Sequence, residues 1–241
     1  MSLPSLMLPN FEVVLPSSGK TVTYRPFVVK EEKILLMAAE SADPVYIVNT
    51  VKQVLKSCII DDINLDKIPF FDVDYIFNMI RAKSISEVID IELRCNHQTE
   101  NGVCGNIFDS EINLTKAKIM KDDKISNKIS LGNNVMLKMK YPSYHDIRTL
   151  NEDQDSMNLK IDLILCCIEY ITDGDNVKSL NKDFTLSELR EFVENLSVEN
   201  FKKIENFVDN FPYFVIEHEA QCTRCGFMHK NSYRDLENFF R

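Results

Sequence analysis

Residues 221 to 227 read Gln221-Cys222-Thr223-Arg224-Cys225-Gly226-Phe227. Cys-x-x-Cys-Gly has the shape of a metal-binding knuckle. Two thiolates two residues apart can share one ion, and the glycine lets the backbone turn sharply and aim amide groups at the sulfurs. A second pair lies upstream, in Arg94-Cys95-Asn96-His97-Gln98-Thr99-Glu100-Asn101-Gly102-Val103-Cys104-Gly105. Eight residues separate these cysteines. Asn101-Gly102 is a turn dipeptide that can fold the loop back and bring the two sulfurs together. His97 is a competing ligand two residues after Cys95. Each pair is entered from a segment that alternates apolar and polar residues, Val88 to Leu93 and Tyr213 to Ala220, which predicts strands. Each is left through a glycine.

Four thiolates form a closed tetrahedral set around Zn²⁺ and leave no position for water, so such a site is structural rather than catalytic. The expectation is one structural zinc ion on Cys95, Cys104, Cys222 and Cys225. The competing readings are four ordinary thiols, or a redox pair at Cys222 and Cys225. A redox Cys-x-x-Cys normally opens a helix after a strand, and Phe227, His229 and Tyr233 do not have helical spacing. The 117 residues from 105 to 221 lie between the pairs. An ion joining the pairs would clamp this stretch at both ends. Cys58, Cys166 and Cys167 sit on apolar helical faces and read as buried small hydrophobes. An odd total of 7 cysteines, two of them adjacent, does not suit a secreted disulfide framework.

Outward from the cysteines, other elements take shape. Phe11 to Leu15, the turn Ser17 to Lys20, and Thr21 to Arg25 predict a β-hairpin. Helical spacing begins at Lys30, with Ile34, Leu35, Met37 and Ala38 on one face. Asp43 before Pro44 is a cap followed by proline at the first helical position, and Ile47, Val48, Val51, Val54, Leu55 and Cys58 continue that helix. Asp72 is read as the cap of a third helix through Ile80. Ile107 to Leu114 is the partner of the strand at 88 to 93. The charge-rich stretch Lys116 to Lys128 is an exposed connection or strand edge, and Val135 to Met139 is a strand. Pro142 to Leu150 opens a helix, and Leu159 to Ile171 has strong helical spacing. Thr185 with Glu188 is a capping box, and Ser197 caps a helix through Phe207. Ser232 is read as the cap of a last helix carrying Leu236, Phe239 and Phe240.

The expected class is α+β, predominantly helical, with an N-terminal β-hairpin and a zinc-ribbon-like strand module formed by two distant cysteine pairs. The expected segments are the hairpin at 1–28, a helical region at 29–87 and the strand module with the first cysteine pair at 88–140. A helical insertion at 141–210 follows, and the second pair with the C-terminal helix occupies 211–241. Together they are expected to make one compact domain.

Composition narrows the function. The chain has 241 residues, 44% of them hydrophobic, and a formal net charge of -9. Nucleic-acid binders are usually basic, because phosphate neutralisation supplies much of their affinity. No apolar run approaches the length of a membrane span, and the first ten residues lack the basic start of a secretory signal. A cytosolic protein without membrane contact is expected. There is no P-loop, no dinucleotide fingerprint and no Gly-x-Ser-x-Gly. Asp61-Asp62 and Asp122-Asp123 have no EF-hand pattern. His145, His218 and His229 are scattered, and His218, between Glu217 and Glu219, reads as part of a solvated strand face.

The opening Leu8-Pro9-Asn10-Phe11-Glu12-Val13-Val14-Leu15-Pro16-Ser17 is followed by Tyr24-Arg25-Pro26-Phe27-Val28-Val29-Lys30-Glu31-Glu32-Lys33 and Leu36-Met37-Ala38-Ala39-Glu40. These segments resemble the base plate hub protein family of T4-like tailed bacteriophages. The resemblance implies a non-enzymatic structural subunit or assembly factor of the contractile tail, made in the host cytoplasm, present in the virion or active only in assembly. Its implied partners are other base plate hub proteins, with no small-molecule substrate. The competing function is a zinc-ribbon nucleic-acid or transcription accessory protein, which requires a basic patch near the knuckles. Arg94, Arg224, Lys230 and Arg234 stand there against Glu100, Asp109, Glu111, Glu217 and Glu219. The hairpin or the Phe239-Phe240 segment is the expected partner interface.

Overall fold

Val13 and Val22 lie opposite each other in a short antiparallel pair, β1 (Phe11–Val14) and β2 (Thr21–Tyr24). Both are buried, together with Leu15 and Tyr24, while Val14 faces out. Gly19, at φ 69°, supplies the left-handed turn residue between the strands. The computed structural model describes residues 7–41, 43–100, 102–148, 150 and 155–234.

Helices α1 (Val29–Ser41), α2 (Pro44–Cys58) and α3 (Phe70–Ser84) follow. The Asp43 carboxylate accepts from the amides of Val45 and Tyr46, as its sequence position predicts. At the head of α1, Glu31 accepts from the Arg25 guanidinium at 2.6 Å, from Ser57 Oγ at 2.6 Å and from the Val28 amide at 2.8 Å. Chiefly because of the Arg25 bond, its carboxyl is held well below the usual range, at about 2. Asp72 does not cap α3. The helix starts at Phe70, and Asp72 is fully buried within its first turn. Its carboxylate accepts from the Ser17 amide at 3.1 Å and from the Ser17 hydroxyl, which ties the hairpin turn to the helix.

The strands β3 (Val88–Arg94), β4 (Gln98–Thr99), β5 (Gly102–Val103) and β6 (Ile107–Asn113) come next. A 3-10 turn at Leu114–Lys116 leads to β7 (Lys118–Met120), β8 (Lys128–Gly132) and β9 (Val135–Met139). Then follow α4 (Tyr144–Arg148), α5 (Ser156–Cys167), β10 (Ile168–Asp173), β11 (Asn176–Lys178), α6 (Leu186–Glu194), α7 (Val198–Asp209), β12 (Tyr213–Gln221) and β13 (Met228–Tyr233).

The expectation of a predominantly helical chain is overturned. Among the described residues helix accounts for 37% and strand for 31%, the strands being spread over five small sheets, so the class is mixed α+β. Two segments account for much of the difference. The helix expected over Leu159 to Ile171 ends at Cys167, and Ile168 passes straight into β10, which pairs with β9. The charge-rich connection contributes β7, which pairs with β12, and at Lys128 runs into β8, the other neighbour of β9. β10 lies between β9 and β11, and β8 is an edge strand; in such short segments with β-branched residues helical and strand periods are hard to separate. Ser232, expected as a helix cap, lies in β13 opposite Glu217. Leu236, Phe239 and Phe240 fall outside the described residues, as does Asn101.

The chain divides into two compact units. One comprises Met1–Leu65, Phe71–Met120 and Tyr213–Arg241. Its three-stranded sheet has the order β13-β12-β7, and Ala82, Ile112, Leu114, Phe214 and Ile216 form a core beneath it. The other comprises Asp66–Phe70 and Lys121–Pro212. It holds the four-stranded sheet β11-β10-β9-β8, with Leu137, Met139, Ile164, Leu189, Val193, Ile204 and Phe207 in its core. The Thr185–Glu188 capping box opens α6 of this unit, and the Ser197 hydroxyl caps α7.

Candidate metal centre

The strand registers bring each cysteine pair to the end of a two-strand ribbon. Arg94 lies opposite Ile107, so Cys95 meets Asn106 just beyond the ribbon. The Cys95 amide donates to the Asn106 carbonyl at 2.8 Å, and the Gly105 amide donates to the Cys95 carbonyl at 3.0 Å. Gln221 lies opposite Met228 in the second ribbon. There the Cys222 amide donates to the Phe227 carbonyl at 2.9 Å, and the Gly226 amide donates to the Cys222 carbonyl at 3.0 Å. The two loops therefore close with the same pair of backbone bonds. Gly105 and Gly226 sit at φ 62° and 73°, left-handed values that favour glycine.

The eight-residue spacing of the first pair has a simple origin. The Cys104 amide donates to the His97 carbonyl at 2.9 Å, which closes an excursion over 98–103 built on β4 and β5. Without that excursion the chain would read Cys95-Asn96-His97-Cys104-Gly105, the same Cys-x-x-Cys-Gly as at Cys222. The first loop is thus a two-residue knuckle carrying a small inserted hairpin.

The sulfurs of Cys95, Cys104, Cys222 and Cys225 all lie within 4.8 Å of one another. Cys95 and Cys225 approach to 3.6 Å, and Cys104 and Cys222 to 4.0 Å. A tetrahedron with metal–sulfur bonds of about 2.3 Å has sulfur–sulfur edges of about 3.8 Å, between these two values. Cys95 and Cys222 are buried, while Cys104 and Cys225 are half-buried. The Cys222 thiol is pushed down to about 6, first by the Cys225 amide and then by the Arg224 amide, both aimed at its sulfur. Burial pushes the Cys95 thiol up to about 12. A divalent cation among the four would find Cys222 already disposed to ionise and would favour the anionic form of the others. The set fits a metal ion by distance and by donor chemistry.

A family model described as T4 bacteriophage base plate protein matches residues 8–241. The chain belongs to this family. Membership makes it a component of a phage tail base plate, among other tail proteins. The chain matches no curated protein and no solved structure. Among the described residues of this base plate protein, no helix is long and apolar enough to cross a membrane.

Three histidines of the base plate protein lie at or near the cysteine module, and one of them, His218, departs from expectation. His97 does not join the sulfur cluster; its ring stacks on Phe227, with centroids 4.2 Å apart at 13°. His218 is not on a solvated face. It is 7% exposed, its Nε2 lies 2.9 Å from the Ser110 hydroxyl, and desolvation holds its pKa below the usual value. His229 is also buried, with Nε2 3.3 Å from the Cys95 sulfur. No spacing rule links His229 to Cys95 in the sequence; only the pairing of His229 with Ala220 puts the imidazole on the inner face. Cys58 and Cys167 are fully buried, as expected of small hydrophobes, and Cys166 is half-buried.

Lys230, Lys118, Arg224 and Arg234 near the knuckles are engaged locally. Lys230 pairs with Glu219 at 2.9 Å, and Lys118 with Glu217 at 2.6 Å. The Arg224 guanidinium faces the Cys104 carbonyl at 3.4 Å, and Arg234 lies over the Tyr213 ring at 4.2 Å.

Proposed function

We propose that this base plate protein is a non-enzymatic structural subunit or assembly factor of the base plate hub, whose strand module is closed by one structural zinc ion on Cys95, Cys104, Cys222 and Cys225. The match over residues 8–241 carries the base plate part of this reading. The resemblance of Leu8 to Glu40 favours the hub within it. The four sulfurs within 4.8 Å support the ion. Zinc supplies a cross-link between segments distant in sequence, with binding free energy that becomes folding free energy. A set of four thiolates leaves no open coordination position, which favours a structural over a catalytic role. The proposed partners are other base plate hub proteins, met in the host cytoplasm during assembly. Nucleic-acid binding is disfavoured, because Arg224, Lys230 and Arg234 near the knuckles already have carbonyl, carboxylate or ring partners and the chain carries a net charge of -9.

The test uses phage deprived of this protein, examined by electron microscopy. Particles lacking base plates are expected, with rescue by the wild-type chain. Normal base plates and full infectivity without the protein would overturn the reading. Mass spectrometry of purified virions separates a resident subunit from an assembly factor.

A further inference from the structure

Two side chains cross from one half of the cysteine module to the other. His229 lies beyond the second knuckle, yet its Nε2 approaches the sulfur of Cys95 in the first at 3.3 Å. Asn106 follows the first knuckle, and its Nδ2 approaches the sulfur of Cys222 in the second at 3.7 Å. The leading sulfur of each knuckle therefore meets a nitrogen supplied by the opposite half.

The two contacts are not equal. His229 is 9% exposed and Cys95 is fully buried. The imidazole is fixed by Phe227, edge-to-face at 4.9 Å and 79°, and by Phe108 at 5.9 Å. Asn106 is half-buried and also donates to the Thr223 hydroxyl at 3.0 Å. Backbone amides already serve both sulfurs, His97 at Cys95, and Cys225 with Arg224 at Cys222. Four thiolates around a divalent cation carry two net negative charges. In a buried setting that charge must be met by donors, and such outer donors also fix the ligand's orientation.

We propose that His229 is a positioning residue of the metal centre, donating Nε2–H to the Cys95 thiolate and fixing the deepest ligand, with Asn106 as its weaker reciprocal at Cys222. The inference rests on the metal reading above. His229 acts through the sulfur and is not a ligand, since the four sulfurs by themselves complete a tetrahedral set. Because each donor belongs to the half opposite its sulfur, the halves reach full metal affinity only when docked on each other.

The test is titration of the full chain with cobalt(II), reading the sulfur-to-cobalt charge-transfer band and the rate of metal release to a chelator. Wild type is expected to give a tetrahedral thiolate spectrum. His229→Leu should shift the charge-transfer band to lower energy, because an unshielded thiolate is more electron-rich, and should speed release about 10- to 100-fold. His229→Gln, whose amide nitrogen can reach the position of Nε2, should restore most of the wild-type band and rate. Asn106→Ala should shift both in the same direction by less. An unchanged band and rate in His229→Leu would overturn the proposal. So would a Gln variant that binds no better than Leu, including the case where Leu fails to fold. A wild-type chain with no cobalt–thiolate spectrum would instead overturn the metal reading itself.

Discussion

The two knuckles close with the same backbone hydrogen bonds, yet only one announces itself in the sequence. At Cys222 and Cys225 two residues separate the cysteines, and the glycine follows at once. At Cys95 and Cys104 the same turn is interrupted after His97 and resumes at Cys104, with the 98–103 hairpin looped out. The placement of the sulfurs is thus set by where the backbone re-enters the turn, while sequence spacing also counts everything inserted between. A loop of eight residues can hold the same site as a loop of two, provided that its insertion closes on itself.

The strongest test of this equivalence removes one ligand from each half. Cys225→Ser and Cys104→Ser should both abolish stoichiometric zinc and lower stability by about 3 kcal/mol or more, a fall in Tm of roughly 6–12 °C for a chain of this size. Calorimetry with metal analysis reads both. A severe loss at Cys225 with none at Cys104 would break the equivalence.

A second comparison sets the ion against an ion pair as a way of joining segments in the same unit. Glu31→Gln should lower stability by about 1–3 kcal/mol, because it takes the charge from a carboxylate bonded to Arg25, Ser57 and the Val28 amide. Glu31 has a depressed pKa, so its contribution is present at neutral pH and is lost as pH falls from 4.5 toward about 2. Urea titrations of wild type and Glu31→Gln should therefore converge across that interval. A constant gap between them would contradict the assigned pairing.

Thr185→Ala removes one cap of α6, outside the unit that holds the four clustered cysteines. It should cost about 1 kcal/mol and leave zinc content unchanged. The smallest expected effect sharpens the main comparison most. Deleting residues 98–103 should leave one zinc per chain, with a stability change within about 1 kcal/mol, because the remaining loop has the spacing of the second knuckle. Loss of zinc in the deletion variant would show that the hairpin helps hold the site.

What was legible in the sequence was local chemistry. Asp43 before Pro44, the Thr185–Glu188 pair and the Cys-x-x-Cys-Gly signature each act within a few residues, and the corresponding helices and knuckle are present. Events settled by distant partners were not legible. Cys167 and Ile168 lie in a continuous apolar run, and only pairing with Met139 of β9 turns the chain from helix to strand there. Asp72 has the look of a cap, but its partner is Ser17, 55 residues away. The burial of His218 follows from a simpler rule. Glu217 and Glu219 face outward, so strict alternation already places His218 inward with Ile216 and Ala220. The contact between His229 and Cys95 spans 134 positions and leaves no spacing signal at all.

The most direct measurement is the metal content of the purified wild-type chain by elemental analysis, beside Cys225→Ser and Cys104→Ser. The account predicts one zinc per wild-type chain and none in either variant. A folded wild-type protein without metal, or variants that keep their zinc, would contradict it.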